Sequence, residues 1–142
     1  MSLPGLDKWY AYIKSHDTKA LWDLLHPDAV FESPVVHSPQ RGRDITFKYL
    51  ASADKVLGGP GFAYLGEWRS ENGAVLEFEN EIEGIKLNGV DIITFDHDGR
   101  ITHFKVMVRP LKAINLLHRL MGEELMRQQA KPSAAESQAL PR

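Results

Sequence analysis

The sequence has no cysteine. Disulfides, thiolate zinc sites, iron–sulfur clusters and a thiol nucleophile are therefore excluded. It has no apolar run near the roughly 18 residues of a membrane span, and its first residues lack the basic and apolar regions of a secretion signal. These features fit a cytoplasmic protein without membrane association. A surplus of positive charge is also missing. The 17 Lys and Arg against 19 Asp and Glu leave a net charge of -2, which argues against nucleic acid as a partner. No Gly-x-Ser-x-Gly, phosphate loop or dinucleotide fingerprint occurs, so no cofactor is expected. His16, His26, His37, His97, His103 and His118 show no paired spacing that builds a ligand set, so no metal is expected. At 142 residues, the length suits one domain. That domain is expected over 1–130, and 131–142, rich in Ala, Ser, Gln and Pro, reads as a disordered tail.

What is present is a change of period. Leu6, Trp9, Tyr10 and Ile13 recur at three and four, predicting a helix from Leu6 to His16. Asp17 is placed to cap a second helix through Leu25, ended by Pro27. Ala29 to Ser33 reads as a short strand, and the two prolines of Ser33 to Pro39 predict a loop or edge strand. A third helix is expected over Asp44 to Leu57, broken by Gly58-Gly59-Pro60-Gly61. Then the period becomes two. Phe62 to Arg69 is a strand, and Asn72-Gly73 is a hairpin turn. Leu76, Phe78, Asn80 and Ile82 alternate with Glu77, Glu79, Glu81 and Glu83, giving one strand an apolar and an acidic face.

Gly84 turns the chain into Ile85 to Phe95. Asn88-Gly89 reads there as a bulge, or alternatively as the hairpin turn itself. Asp96 to Gly99 is a further turn before a strand over Ile101 to Val108. Pro110 opens a final helix to about Met126, with Leu111, Ile114, Leu117, Leu120 or Met121, and Leu125 on one stripe. Helices first and strands later predict an α+β fold, with helices packed on one face of a curved antiparallel sheet, plus a C-terminal helix.

Four blocks carry a family resemblance. They are His26-Pro27-Asp28-Ala29-Val30-Phe31-Glu32-Ser33-Pro34-Val35, Arg41-Gly42, Gly89-Val90-Asp91-Ile92-Ile93-Thr94-Phe95-Asp96 and Asp98-Gly99-Arg100-Ile101. In order and spacing they resemble the nuclear-transport-factor-two-like superfamily, which includes ketosteroid isomerase and the SnoaL-like cyclases. The resemblance spans roughly residues 6 to 110. It implies a cystatin-like α+β roll, its N-terminal helices packed on the concave face of the sheet to form a conical pocket for a small apolar ligand, and a homodimer through the outer face of the sheet. In ketosteroid isomerase an Asp before a Pro shuttles the proton, while a Tyr on the first helix and a second, protonated Asp hold the oxyanion. Laid on this chain without gaps, the base falls on Ser33, the Tyr on Trp9 and the second Asp on Asp91. One of three groups is kept, so that isomerase chemistry is not expected here.

Asp91 is the candidate catalytic residue. If it shares a face with Ile93 and Phe95, burial raises its pKa. Trp9, with a donor-only indole, is set either to bond a ligand oxygen or simply to pack. Ser33 is a candidate polar contact, and Asn80 interrupts an apolar face where its amide needs a partner. His37 is a candidate acid or base near the pocket mouth. Ile13, Phe31, Phe78, Phe104 and Val106 complete the candidate ligand-binding set. Two functions stay open: an isomerase, dehydratase, cyclase or hydrolase without cofactor, acting on an apolar, oxygen-bearing molecule, or a ligand-binding or dimerisation module without turnover.

Overall fold

The alternating acidic and apolar residues after Asn72 build the centre of the molecule. In the computed structural model, which describes residues 2–129, they form β4 (Gly73–Ile82), with Leu76, Phe78 and Asn80 buried and Glu79 and Glu81 exposed. Its neighbours are β3 (Ala63–Arg69) and β5 (Ile85–Phe95), followed by β6 (Ile101–Arg109). Ahead of these come α1 (Pro4–Ser15), α2 (Thr18–Leu24), β1 (Leu25–Glu32), β2 (Gln40–Arg41) and α3 (Arg43–Leu57), and α4 (Leu111–Gln129) follows them. The strand order is β2-β1-β6-β5-β4-β3 in one curved, unclosed sheet. The tail predicted over 131–142 lies outside the described residues.

The fold class is the expected α+β roll, but one pairing departs from an antiparallel sheet. β1 runs parallel to β6, from Leu25 opposite Ile101 to Glu32 opposite Lys105. Parallel neighbours need a long crossover, and α3 with the β3–β5 meander supplies it. Asp17 caps α2 as expected, its side chain accepting from the Lys19 backbone N–H at 3.0 Å. Pro27 does not end that helix, which stops at Leu24. It lies inside β1, which is longer than the strand predicted from Ala29. The pairing with β6 shifts register between Leu25 and Val30, so an imino nitrogen there forfeits no ladder bond.

Asn88-Gly89 is neither bulge nor turn. Asn88 faces Glu79 and Gly89 faces Phe78 in an unbroken ladder. The turn is carried by Glu83 and Gly84, both at positive φ. Besides the shift in β1, the pairing slips in β3 between Tyr64 and Gly66 and in β5 between Thr94 and Phe95. The stripe of α4 is also rotated from the expected one. Leu111 is exposed, and Ala113, Leu116, Leu117 and Glu124 are buried, against α3 and the β5–β6 pair.

The core fills the space between α1, α2, α3 and the inner sheet face. Leu6, Trp9, Tyr12, Leu21, Leu24 and Phe47 meet Phe31, Leu76, Phe78, Ile93, Phe104 and Ile101 there. α3 is tied to β1 by the buried Thr46 hydroxyl, which donates to the Ala29 carbonyl at 3.1 Å. This packing leaves one end of the helix–sheet interface unfilled, and the candidate site lies there.

Candidate functional site

A cavity of about 300 Å³ opens between α1, α3 and the sheet. α1 contributes Trp9, Tyr12 and Ile13, and its C-cap residue His16 follows seven positions after Trp9. α3 contributes Leu50, Ala53, Asp54 and Leu57, and the following loop Gly58 to Pro60. The sheet side is made by Phe31, Phe62, Tyr64, Phe78, Asp91, Phe104 and Val106. The wall is mostly aromatic and aliphatic, the composition expected of a small-molecule site.

Asp91 is placed inward by the alternation of β5, which buries Asp91, Ile93 and Phe95 together. Its neighbours across the ladder are Leu76 and Val106, so the carboxyl is set among hydrocarbon. Its pKa is raised to about 7, because burial penalises the charged form more than its hydrogen bond from Tyr64 favours it. The Tyr64 hydroxyl donates to Asp91 Oδ2 at 2.6 Å. The Trp9 indole N–H in turn donates to the Tyr64 oxygen at 3.0 Å. Burial first, and then the Asp91 charge, hold the Tyr64 phenol well above its ordinary pKa. Tyr64 therefore stays protonated at neutral pH, while Asp91 exchanges its proton there.

Aromatic rings fix this chain of donors. Tyr64 meets Phe62 edge-on with ring centroids 5.0 Å apart, and Phe62 stacks on Phe78 at 5.4 Å. Trp9 lies 4.8 Å from Phe104. A ring held on both sides cannot swing its polar end away, so the donors are pre-aimed.

Of the residues singled out from the sequence, Trp9, Ile13, Phe31, Phe78, Asp91, Phe104 and Val106 line the cavity together. The Trp9 N–H is taken by Tyr64 rather than held free for a ligand oxygen. Ser33, His37 and Asn80 are not among the lining residues. Ser33 falls one residue beyond the end of β1, and its hydroxyl accepts from the Val35 backbone N–H at 3.0 Å, so it serves the loop. His37 is exposed in that loop, where its charge acts on Glu32. Glu32 accepts from His103 Nε2 at 2.5 Å, and Lys105 lies 3.7 Å away. The Asn80 amide bonds the Leu57 carbonyl at 2.7 Å and accepts from the Glu81 N–H at 2.7 Å. It pins the end of α3 to β4.

Tyr64 was not singled out from the sequence, nor were Tyr12, His16 and Asp54. The signal for Tyr64 was its alternation with Phe62, which puts both on one strand face. The signal for His16 was its position seven residues after Trp9. Among the described residues, no group of three or more His, Asp or Glu is gathered as a metal would require.

A SnoaL-like domain model matches residues 6–104. The chain belongs to the SnoaL-like family. Among solved structures, an uncharacterised bacterial protein with a cystatin-like fold from Silicibacter pomeroyi DSS-3 is 26% identical with a TM-score of 0.80, covering 87% of this chain and 86% of that one. A steroid delta-isomerase from Pseudomonas aeruginosa is 38% identical with a TM-score of 0.77, over 94% of this chain and 100% of that one. SalBIII, an epoxide hydrolase/cyclase-like enzyme of pyran ring formation in salinomycin, is 16% identical with a TM-score of 0.60 over 75% of this chain and 89% of that one. That likeness is one of fold. No curated protein matches the sequence. SnoaL-like members share the roll, but a roll does not fix a reaction; the residues inside it do.

Proposed function

We propose that this SnoaL-like protein is a cofactor-independent enzyme for a small apolar molecule that carries an oxygen, with neutral Asp91 donating to that oxygen as negative charge develops on it, and with Tyr64, whose single O–H is given to Asp91 Oδ2, orienting the acid. The observation that carries this reading is the 2.6 Å bond between Tyr64 and Asp91 inside an apolar cavity. In its neutral form Asp91 is an O–H donor. In low-dielectric surroundings such a donor is worth far more to an oxyanion than to the neutral ground-state oxygen. An enolate, alkoxide or phenolate oxygen fits this chemistry. The kinship with a protein named a steroid delta-isomerase supports proton transfer beside a carbonyl as the reaction class. Ser33 has no carboxylate and stands outside the cavity wall, so the proton acceptor is not at that position.

The test is a carbon-13 NMR titration of the Asp91 carboxyl. The expected midpoint is near the raised value of about 7. Saturation with 4-hydroxybiphenyl, a phenol with an apolar body, should move it higher still, because the bound oxygen accepts the acid's proton and displaces water. A midpoint near the ordinary ~3.9, or one indifferent to the phenol, would remove the basis for the reading.

The same proposal includes a homodimer through the outer face of the sheet. Leu65, Trp68 and Met107 are 52%, 58% and 52% exposed. Trp68 and Met107 border a shallow depression with Glu77, Val90 and Arg109. Exposed large apolar groups of this kind mark interaction surfaces. Sedimentation equilibrium should give twice the chain mass, and Trp68→Glu should return it to the monomer. A monomeric parent protein excludes the dimer.

A further inference from the structure

The cavity has a second polar cluster at the C-terminal end of α1. Asp54 Oδ2 accepts from His16 Nδ1 at 2.7 Å and from the Tyr12 hydroxyl at 3.3 Å. All three residues line the cavity. Asp54 is nearly enclosed, with its side chain 12% exposed, while His16 is 49% exposed at the mouth. Along α1, Trp9 marks the inner cluster and His16 the outer one. Seven residues of helix separate them, about 10 Å. The wall between is apolar, made by Ile13, Phe31, Leu50 and Phe104. We infer that His16 and Asp54 form a distal recognition pole, and that the ligand is an elongated apolar molecule with an oxygen at each end, one held by Asp91, which Tyr64 orients, and the other by His16.

The hydrogen-bond arithmetic supports a ligand contact at His16. A carboxylate only accepts, so the nitrogen facing Asp54 carries the proton, and Nε2 remains for another partner. A hydroxyl suits that nitrogen in either protonation state, donating to neutral imidazole or accepting from the cation. The backbone around the pair is adapted to it. His16 ends α1 in the left-handed region at φ 57, where glycine is the usual residue. A methyl group built on Gly58 would lie 2.5 Å from Asp54 Oδ1, so a side chain there would displace the carboxylate.

This inference rests on the proposed function, and the experiment separates the two. Calorimetry is carried out on the full chain with 4-hydroxybiphenyl and 4,4′-dihydroxybiphenyl, rigid molecules that differ only in the distal hydroxyl. The diol should bind about tenfold more tightly, ~1.4 kcal/mol, beyond the statistical factor for its two equivalent ends. In His16→Asn, a residue that tolerates the left-handed backbone, that ratio should fall to about one. Asp54→Asn, which keeps the side-chain shape, should reduce it partway. Tyr64→Phe should weaken both ligands alike and leave the ratio intact. If the monohydroxy compound binds but the diol gains nothing, or if the gain survives in both His16→Asn and Asp54→Asn, the distal pole is overturned and the inner site stands. If neither compound binds the parent protein, both readings fall together.

Discussion

Replacing Asp91 with Asn should raise the stability of the fold by about 4 kcal/mol at about pH 8, and by close to nothing at about pH 3. The folded Asp91 carboxyl titrates at about 7 and its unfolded counterpart near 3.8. Between those values the native state holds a proton that the unfolded chain has released. Stability therefore falls as pH rises through that window, and above it the native state bears the full cost of a buried carboxylate. Roughly three pKa units at 1.36 kcal/mol each set the magnitude. Asn keeps an oxygen to accept the Tyr64 hydroxyl and never ionises. Urea unfolding of both proteins across the pH range gives the difference directly. The carboxylates whose pKa is lowered, Glu32 and Glu67 among them, favour the fold above their unfolded pKa and lose that contribution on acidification. They act in both proteins and cancel in the difference. A difference that stays flat between about pH 4 and 7 would show that Asp91 is not held in hydrocarbon.

The same residue shows how much of the site is legible in the sequence. An Asp among Val90, Ile92, Ile93 and Phe95 stands out because strand period and hydrophobicity are local properties. The acidic and apolar alternation of β4 and the Asp17 cap were legible for the same reason. Tyr64 was not, although it is the direct partner of Asp91. Its inward aim depends on β3 pairing with β4, where Tyr64 faces Phe78 beside a register shift, and no short window contains that shift. His16 and Asp54 are 38 residues apart in sequence, and only the tertiary fold, which sets the end of α1 across from α3, brings them together. Ser33 misled because a gapless comparison matches positions, not faces. One residue past the end of a strand, a side chain turns to its own loop. Pro27 misled because a proline usually stops a helix, whereas here a break in pairing makes room for it within a strand.

Gly89 is the second place where local reading and tertiary structure part, and it carries the other large expected effect. Asn-Gly is a strong turn signal, yet this glycine lies mid-strand between Phe78 and Val108. The reason is close approach. A methyl group there would lie 2.4 Å from the Met107 carbonyl oxygen, 2.7 Å from Phe78 Cζ and 3.1 Å from Val108 Cγ2. The carbonyl belongs to the ladder and cannot retreat without moving β6. The Phe78 ring is buried and stacked on Phe62, so it yields only toward the cavity it lines. Gly89→Ala should therefore cost about 3 kcal/mol in urea unfolding, the upper part of the range for overpacking a filled core. Shortening the opposed ring in Gly89→Ala with Phe78→Leu should recover part of the loss, so that the two changes together cost less than their sum. The displaced ring should also narrow the cavity and weaken 4-hydroxybiphenyl, while the Asp91 titration keeps its raised midpoint because the acid remains buried. An effect of Gly89→Ala within about 0.5 kcal/mol of zero, the level of an ordinary surface change, would mean that Phe78 does not lie against the Gly89 backbone, and that the inner wall of the site is looser than the packing described above.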